Sequence, residues 1–91
     1  MDIKEPIASD IWAYKLPDGS RRTSRVVIGK PRPAADDPNG DWECVVYFEH
    51  VTPAGERFFG VGPVDCLMNA MRWVYDRFAE FNEVSPRASS N

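Results

Sequence analysis

Cysteine and histidine are the residue types that most often supply a nucleophile and a base in enzymes. This chain has two cysteines, Cys44 and Cys66, and one histidine, His50. Cys44 and His50 are six residues apart in one predicted strand, so their side chains share a face but lie about 20 Å apart. Glu43 and Glu49 have the same spacing, which is too wide for a pair of catalytic carboxylates. We therefore expect no enzymatic activity and no catalytic residues.

The same residues are too few for a structural metal site or a disulfide framework. Structural zinc takes four ligands, so we expect no metal and no cofactor. Small secreted domains usually carry four or six cysteines, and we expect both thiols to be reduced, in or near the core of a cytoplasmic protein. The N-terminus lacks an apolar signal segment, and no stretch approaches the roughly 18 apolar residues of a membrane span, so we expect no membrane partner.

Gly60 and Gly62 precede a predicted helix, where free backbone amides can bind an anion. The phosphate-binding fingerprints have further glycines or a Lys-Ser/Thr pair, which are missing here, and Asp65 would repel a phosphate. We therefore interpret this segment as a strand-to-helix turn, with Gly62 as the N-cap, Pro63 at the first helical position and Asp65 in the first turn.

Basic residues cluster on the first hairpin and the loop after it. They are Arg21, Arg22, Arg25, Lys30 and Arg32. The chain as a whole has a net charge of −3, and the cluster lacks interleaved aromatic residues for base stacking. We interpret the cluster as a solvated strand face, and keep nucleic-acid or small-ligand binding by this basic hairpin as the alternative.

Alternating apolar and polar residues predict four strands, at 10–16, 22–29, 41–51 and 57–61. A turn at 17–20, a loop at 30–40 and a turn at 52–55 separate them. We expect a loosely held, flexible N-terminal arm at 1–9, one domain at 10–84 and a disordered tail at 85–91. The predicted fold class is α+β, a four-stranded antiparallel β-meander packed against one C-terminal α-helix.

The helix is predicted over 64–83, with one apolar stripe that covers the sheet. A projection at 100° per residue places on it Val64, Leu67, Met68, Met71, Val74, Tyr75 and Phe78, with Phe81 at its border. If this stripe is buried, Met71→Asp or Phe78→Asp should unfold the protein.

Trp73 projects about 150° from the centre of that stripe, among polar residues. Its neighbours there are Asn69, Arg72, Asp76, Arg77 and Glu80. Tryptophan and arginine are enriched at the centres of protein interfaces, so this face is the predicted partner-binding surface, with the loop at Asp36 and Asp37 as a second contact. The alternatives are that Ile3, Pro6 and Ile7 of the N-terminal arm cover Trp73, or that it is an ordinary exposed tryptophan.

Three segments in this order resemble a bacterial family catalogued as a domain of unknown function. They are Ile28-Gly29-Lys30-Pro31-Arg32-Pro33, Gly40-Asp41-Trp42-Glu43-Cys44 and the helix start Gly62-Pro63-Val64-Asp65-Cys66-Leu67-Met68-Asn69-Ala70. The resemblance covers residues 8–82, and Pro63-Val64 departs from the family's tighter Gly-x-Asp spacing. It implies the fold and no established activity.

From the lack of catalytic and metal-binding residues we expect a small cytosolic protein-binding module. The specific hypothesis is an immunity protein, which inhibits a bacterial toxin by occluding its active site with complementary charge and a few anchors. The further alternative is a homodimer in which Trp73 pairs across a two-fold axis.

Overall fold

The computed structural model of the chain describes residues 5–85. These residues form one antiparallel sheet and one helix, which confirms the predicted α+β class. In chain order the elements are β1 (Pro6–Lys15), β2 (Arg21–Gly29), β3 (Arg32–Pro33), β4 (Trp42–Phe48), β5 (Thr52–Gly60), α1 (Pro63–Glu80) and β6 (Asn82–Ser85). In this part of the chain, no helix is long and apolar enough to cross a membrane.

The four long strands β1, β2, β4 and β5 form the predicted meander, each antiparallel to the next. Two further strands were not predicted. β3 pairs with the start of β4 through Arg32 and Glu43, and β6 pairs with the end of β1 through Ala13 and Ser85. Both are only two to four residues long, too short for apolar alternation to appear in the sequence.

Strand boundaries differ from the prediction at two places. β1 begins at Pro6, which pairs with Gly29, so residues 6–9 of the predicted arm belong to the sheet. The turn before β5 lies at 49–51 instead of 52–55, with His50 in the left-handed region at φ 73°. The Thr52 hydroxyl accepts a hydrogen bond from the Phe48 N–H at 2.8 Å and so closes this turn. The start of the predicted arm, residues 1–4, and most of the predicted tail, residues 86–91, lie outside the described residues.

The core fills the space between α1 and one face of the sheet. Its largest fully buried side chain is Phe48 of β4, which meets Trp12 of β1 edge to face at 5.3 Å between ring centroids. Tyr14 stacks on Phe81 just after the helix, and its hydroxyl bonds the buried Ser24 hydroxyl at 2.7 Å. Both hydroxyls of this pair are therefore satisfied within the core.

Small residues set how α1 lies on the sheet. Its buried residues are Cys66, Ala70 and Val74, and a Cβ at Gly60 of β5 would collide with the Cys66 backbone nitrogen. Small side chains at the contact allow the helix axis to approach the strands closely. The centre of the buried face therefore falls on small residues that contribute little to an apolar projection.

The predicted stripe is wrong for most of its members. Val74 is buried, Leu67 is half-buried, and Phe81 packs against the core as expected. The other five are exposed: Val64 68%, Met68 58%, Met71 41%, Tyr75 70% and Phe78 40%. Since Met71 and Phe78 keep large exposed fractions, the expectation that an aspartate at either position unfolds the protein no longer follows.

Candidate functional site

Trp73 points toward the sheet, although the helical projection places it on the polar side of α1. The side chain is half-buried and meets Phe48 at 6.2 Å and Phe58 at 5.6 Å between ring centroids. The Arg77 guanidinium lies 5.3 Å from the ring centroid, within the range of a cation–π contact. Described residues of this chain therefore hold Trp73: two sheet aromatics and one helix arginine.

Arg77 lies at the same boundary between helix and sheet. It is half-buried, and a terminal guanidinium nitrogen donates to Glu80 three residues later on the helix. Its Nε is buried without a hydrogen-bond partner among the described residues. Stacking on Trp73 compensates part of the free-energy cost of this unpaired N–H, because a guanidinium face packs well on an aromatic ring. Arg77 and Glu80 are thus engaged within the helix.

The remaining predicted contacts are spread over two surfaces. Asn69 donates its side-chain N–H to the Phe59 carbonyl of β5 at 2.8 Å, which fixes the polar side of α1 over that strand. Arg72 and Asp76 are exposed on the same side of the helix, and neither forms an ion pair with another described residue. Asp36 and Asp37 lie in the loop between β3 and β4, where Asp37 accepts the Asn39 N–H at 2.8 Å.

Two sides of α1 are already described: one packs on the sheet, and one is polar. Exposed apolar side chains form a row along a third side of the helix. We call this row the α1 seam, and its members are Val64, Met68, Met71, Tyr75 and Phe78. Their spacing of four, three, four and three residues keeps them in line on the helix surface. An exposed apolar patch of several hundred Å² marks an interaction site more often than an ordinary monomer surface. Sequence projection found these residues but assigned them to the core.

The α1 seam is on the side of the helix that faces away from β5. Asn69 reaches β5 on one side, whereas Phe78 meets Trp12 of β1 on the other side, edge to face at 4.9 Å. α1 packs mainly on β4 and β5 and crosses toward β1 only near its C-terminal end. The seam therefore overhangs the β1–β2 half of the sheet.

On the opposite face of the sheet, Glu43 joins three strands. It alternates with the core residue Cys44 and is buried, and its carboxylate accepts hydrogen bonds from Arg32 Nε and Arg57 Nε, both at 3.0 Å. Burial by itself raises the pKa of Glu43, but hydrogen bonds from Arg57 and Arg32 outweigh it and lower the pKa overall. Arg32, one member of the predicted basic cluster, is thus paired within the sheet.

The residues with catalytic potential are two buried cysteines and one exposed histidine. Cys44 and Cys66 are free and buried, and burial raises the pKa of both thiols, that of Cys44 to about 11. His50 is exposed in the turn before β5. Among residues 5–85, no group of three side chains is placed to hold a metal ion.

The Gly60–Gly62 segment is the strand-to-helix turn that the sequence predicts. Gly62 is the N-cap residue of α1, and Pro63 opens the helix. The Asp65 carboxylate accepts the Val61 N–H at 3.0 Å, so one amide of this segment is already paired. An anion at this point would meet that carboxylate.

No protein-family model, no curated protein and no solved structure matches this chain. The resemblance to a bacterial domain family stays a prediction.

Proposed function

We propose that this protein is a protein-binding module and that the α1 seam is its contact surface. One observation carries the proposal: five apolar side chains, each 40–70% exposed, stand in line on one side of a helix of which another side is already packed on the sheet. Burying a side chain of this size stabilises an assembly by roughly 1.5–3 kcal/mol if it was fully exposed. The five side chains are 40–70% exposed, so each can contribute a part of this free energy.

The seam replaces the Trp73 face as the predicted surface. Trp73, the anchor of the earlier surface, already has aromatic partners within the chain. Within the described part of the chain, the other exposed large apolar residues do not form a comparable row. Ile7 and Ile11 lie on β1, and Phe59 of β5 is capped by the Arg57 guanidinium at 5.0 Å from its ring centroid.

An immunity protein remains the specific form of this proposal that the small size and the net charge of −3 favour. In that form the seam supplies the anchors that the sequence reading assigned to Trp73. Binding of nucleic acid or a small ligand by the basic hairpin is less favoured, because Arg32 is paired with the buried Glu43.

Site-specific photo-crosslinking tests the contact surface. In one variant p-benzoylphenylalanine replaces Tyr75 on the seam, and in a matched variant it replaces the neighbouring Asp76, which projects about 100° away on the polar side. Both variants are irradiated in lysate from cells that naturally contain the protein, and the adducts are identified by mass spectrometry. We expect one dominant protein adduct from position 75 and none from position 76.

Three outcomes of this experiment are informative. A dominant adduct from position 76 and none from position 75 would show that the contact surface is the polar face of α1. No protein adduct from either position would overturn the protein-binding proposal. An adduct between position 75 and a toxin-like protein would support the immunity hypothesis.

A further inference from the structure

The side of the sheet that faces away from α1 is uncovered and carries apolar side chains. We call this surface the open sheet face. Alternation along the strands places on it Ile11, Val27, Val45, Tyr47 and Phe59. Within residues 5–85 no helix and no second sheet packs on this side, and Phe59 remains 43% exposed. An aromatic ring is therefore presented to solvent on a flat surface built from four strands.

Basic side chains outnumber acidic ones on the open sheet face. The same alternation adds to it Lys15, Arg21, Arg25, Arg32 and Arg57. The carboxylates on this side are Glu43 and, in the turn after β4, Glu49, which accepts the Arg25 backbone N–H at 2.9 Å. Since the whole chain has a net charge of −3, positive charge is concentrated on this one face. Charge complementarity selects an anionic partner and opposes a second copy of the same face.

Glu43 orients two of these arginines and leaves them accessible. Arg32 donates to the carboxylate through Nε, and Arg57 donates from the other side, while both side chains stay mostly exposed. A guanidinium has five N–H donors in one plane, so Arg32 keeps terminal N–H groups for a second acceptor. One carboxylate between two guanidinium groups also leaves the trio with a positive charge. The pairing thus positions Arg32 and Arg57 for an anion.

Two aromatic rings flank this group of charges along β4. Phe59 is the cross-strand partner of Glu43, and Tyr47 is four residues further along the strand, about 13 Å away at strand rise. A stacked single strand rises about 3.4 Å per nucleotide, so about four nucleotides span the two rings. The Arg57 guanidinium lies 5.0 Å from the Phe59 ring centroid, so cation and ring adjoin. Sheet surfaces that bind single-stranded nucleic acid combine stacking rings with basic side chains in this way.

We propose that the open sheet face binds a short single-stranded segment of nucleic acid. The bases stack on Tyr47 and Phe59. The phosphates are bound by Arg25, Arg32 and Arg57. An acidic peptide would satisfy the arginines but would leave both rings without a flat partner. The inference does not rest on the proposed function, because the α1 seam is on the helix side of the sheet.

Fluorescence anisotropy with labelled oligouridylate and oligothymidylate of about 10 nucleotides tests the binding. At about 50 mM salt we expect a dissociation constant on the order of 10 µM. Three phosphate contacts predict a slope of about −2 when the logarithm of the association constant is plotted against that of the salt concentration. Binding of RNA, DNA or both supports the inference. No binding of either oligonucleotide at about 50 mM salt would overturn it.

Two arginines of β2 separate the open sheet face from the basic hairpin as a whole. Both are exposed, but Arg25 pairs with the exposed Ile11, whereas Arg22 pairs with Tyr14, whose side chain lies in the core on the other side of the sheet. Arg25→Ala should weaken binding about 5-fold and make the salt slope shallower by about 0.7. Arg22→Ala is the matched control and should stay within about 2-fold. Equal losses would assign binding to the hairpin and overturn the proposed face.

Two substitutions of Phe59 test stacking. Phe59→Leu keeps an apolar side chain without an aromatic face, whereas Phe59→Trp keeps the face. We expect about 10-fold weaker binding for the leucine variant and binding within about 2-fold of the wild type for the tryptophan variant. Tyr75→Leu, at an exposed ring of the α1 seam, is the control and should bind as the wild type does. Equal affinities of the two Phe59 variants would show that this ring does not stack on a base and would overturn the inference.

Competition with polyglutamate tests the class of partner. At equal charge concentration it should displace the oligonucleotide at least about 10-fold less effectively than unlabelled oligouridylate, because it offers no bases to the rings. Equal competition would show that the face recognises negative charge alone and would overturn nucleic acid as the partner. Such a result leaves the α1 seam proposal standing, since crosslinking at position 75 reports on the other side of the molecule.

Discussion

At the scale of single residues, Glu43 is the charged group on which the open face of the sheet depends most. Its buried carboxylate ties Arg32 of β3 and Arg57 of β5 to β4. Both arginines are largely exposed, which screens the pairing and limits its contribution. The hydrogen bonds nevertheless hold the short β3, which has only two paired residues of its own.

We expect Glu43→Gln to lower the free energy of unfolding by about 1–2 kcal/mol, because it removes the charge that both guanidinium groups face and weakens two charge-assisted hydrogen bonds. Urea unfolding at neutral pH measures this. Glu56→Gln, at an exposed carboxylate of β5, is a control for the general effect of removing one negative charge from the sheet. A loss equal to that of the control would show that the pairing contributes nothing to stability.

The two thiols give a second prediction at this scale. Cys44 and Cys66 are at most 1% exposed, and burial is the main cause of their raised pKa values. Because the thiolate is the reactive form, we expect negligible labelling by iodoacetamide in the native protein at neutral pH, and two labels per chain in urea. Mass spectrometry counts the labels. Rapid native labelling of Cys66 would show that the helix opens over its first turn.

At the scale of elements, α1 has three sides with different roles. One side packs on β4 and β5, one is polar, and the third is the α1 seam. A helix that buries only its packing side would show a single apolar stripe, whereas the apolar residues of α1 extend over more than half of its circumference. The apolar surface of α1 is therefore wider than its contact with the sheet requires.

This division predicts a large loss of stability for one substitution in α1 and a small loss for another. Trp73→Ala should lower the free energy of unfolding by about 2–3 kcal/mol, because Phe48 and Phe58 lose their partner ring. Met71→Asp should cost less than about 1 kcal/mol, because the site is exposed. Thermal unfolding of both variants decides between the packing seen here and the one in which Met71 faces the sheet.

At the scale of the whole molecule, a few carboxyl groups control how stability depends on pH. The pKa of Glu43 is below its ordinary value of 4.5 in the folded state. Hydrogen bonds from Ser20 lower the pKa of Asp18 in the β1–β2 turn, whereas burial and the neighbouring Asp37 raise that of Asp41. A lowered pKa stabilises the fold above the unfolded value and loses this effect as the pH falls, and a raised pKa acts in the opposite direction.

Since Glu43 is the buried member of this set, we expect its lowered pKa to dominate the pH dependence. The free energy of unfolding should then fall as the pH drops below about 4.5. Urea midpoints at neutral pH and at about pH 3 should differ for the wild type, and the difference should be smaller for Glu43→Gln. An unchanged difference in that variant would assign the acid sensitivity to other carboxyl groups.

The order of the long strands, the Gly62-Pro63 helix start and the α+β class follow from the sequence, because alternation, turn residues and caps are local signals. The short strands β3 and β6 do not, since each exists only through pairing with a distant segment.

The rotation of α1 about its axis is the feature that the tertiary structure decided. An apolar projection weights large side chains, and it placed Met68, Met71 and Tyr75 in the core. The sheet instead receives Cys66 and Ala70, because these small residues and Gly60 permit close approach and leave room for Trp73 to pack between Phe48 and Phe58. Sequence alone supplied an apolar helix, and only packing showed which of its apolar side chains stay exposed.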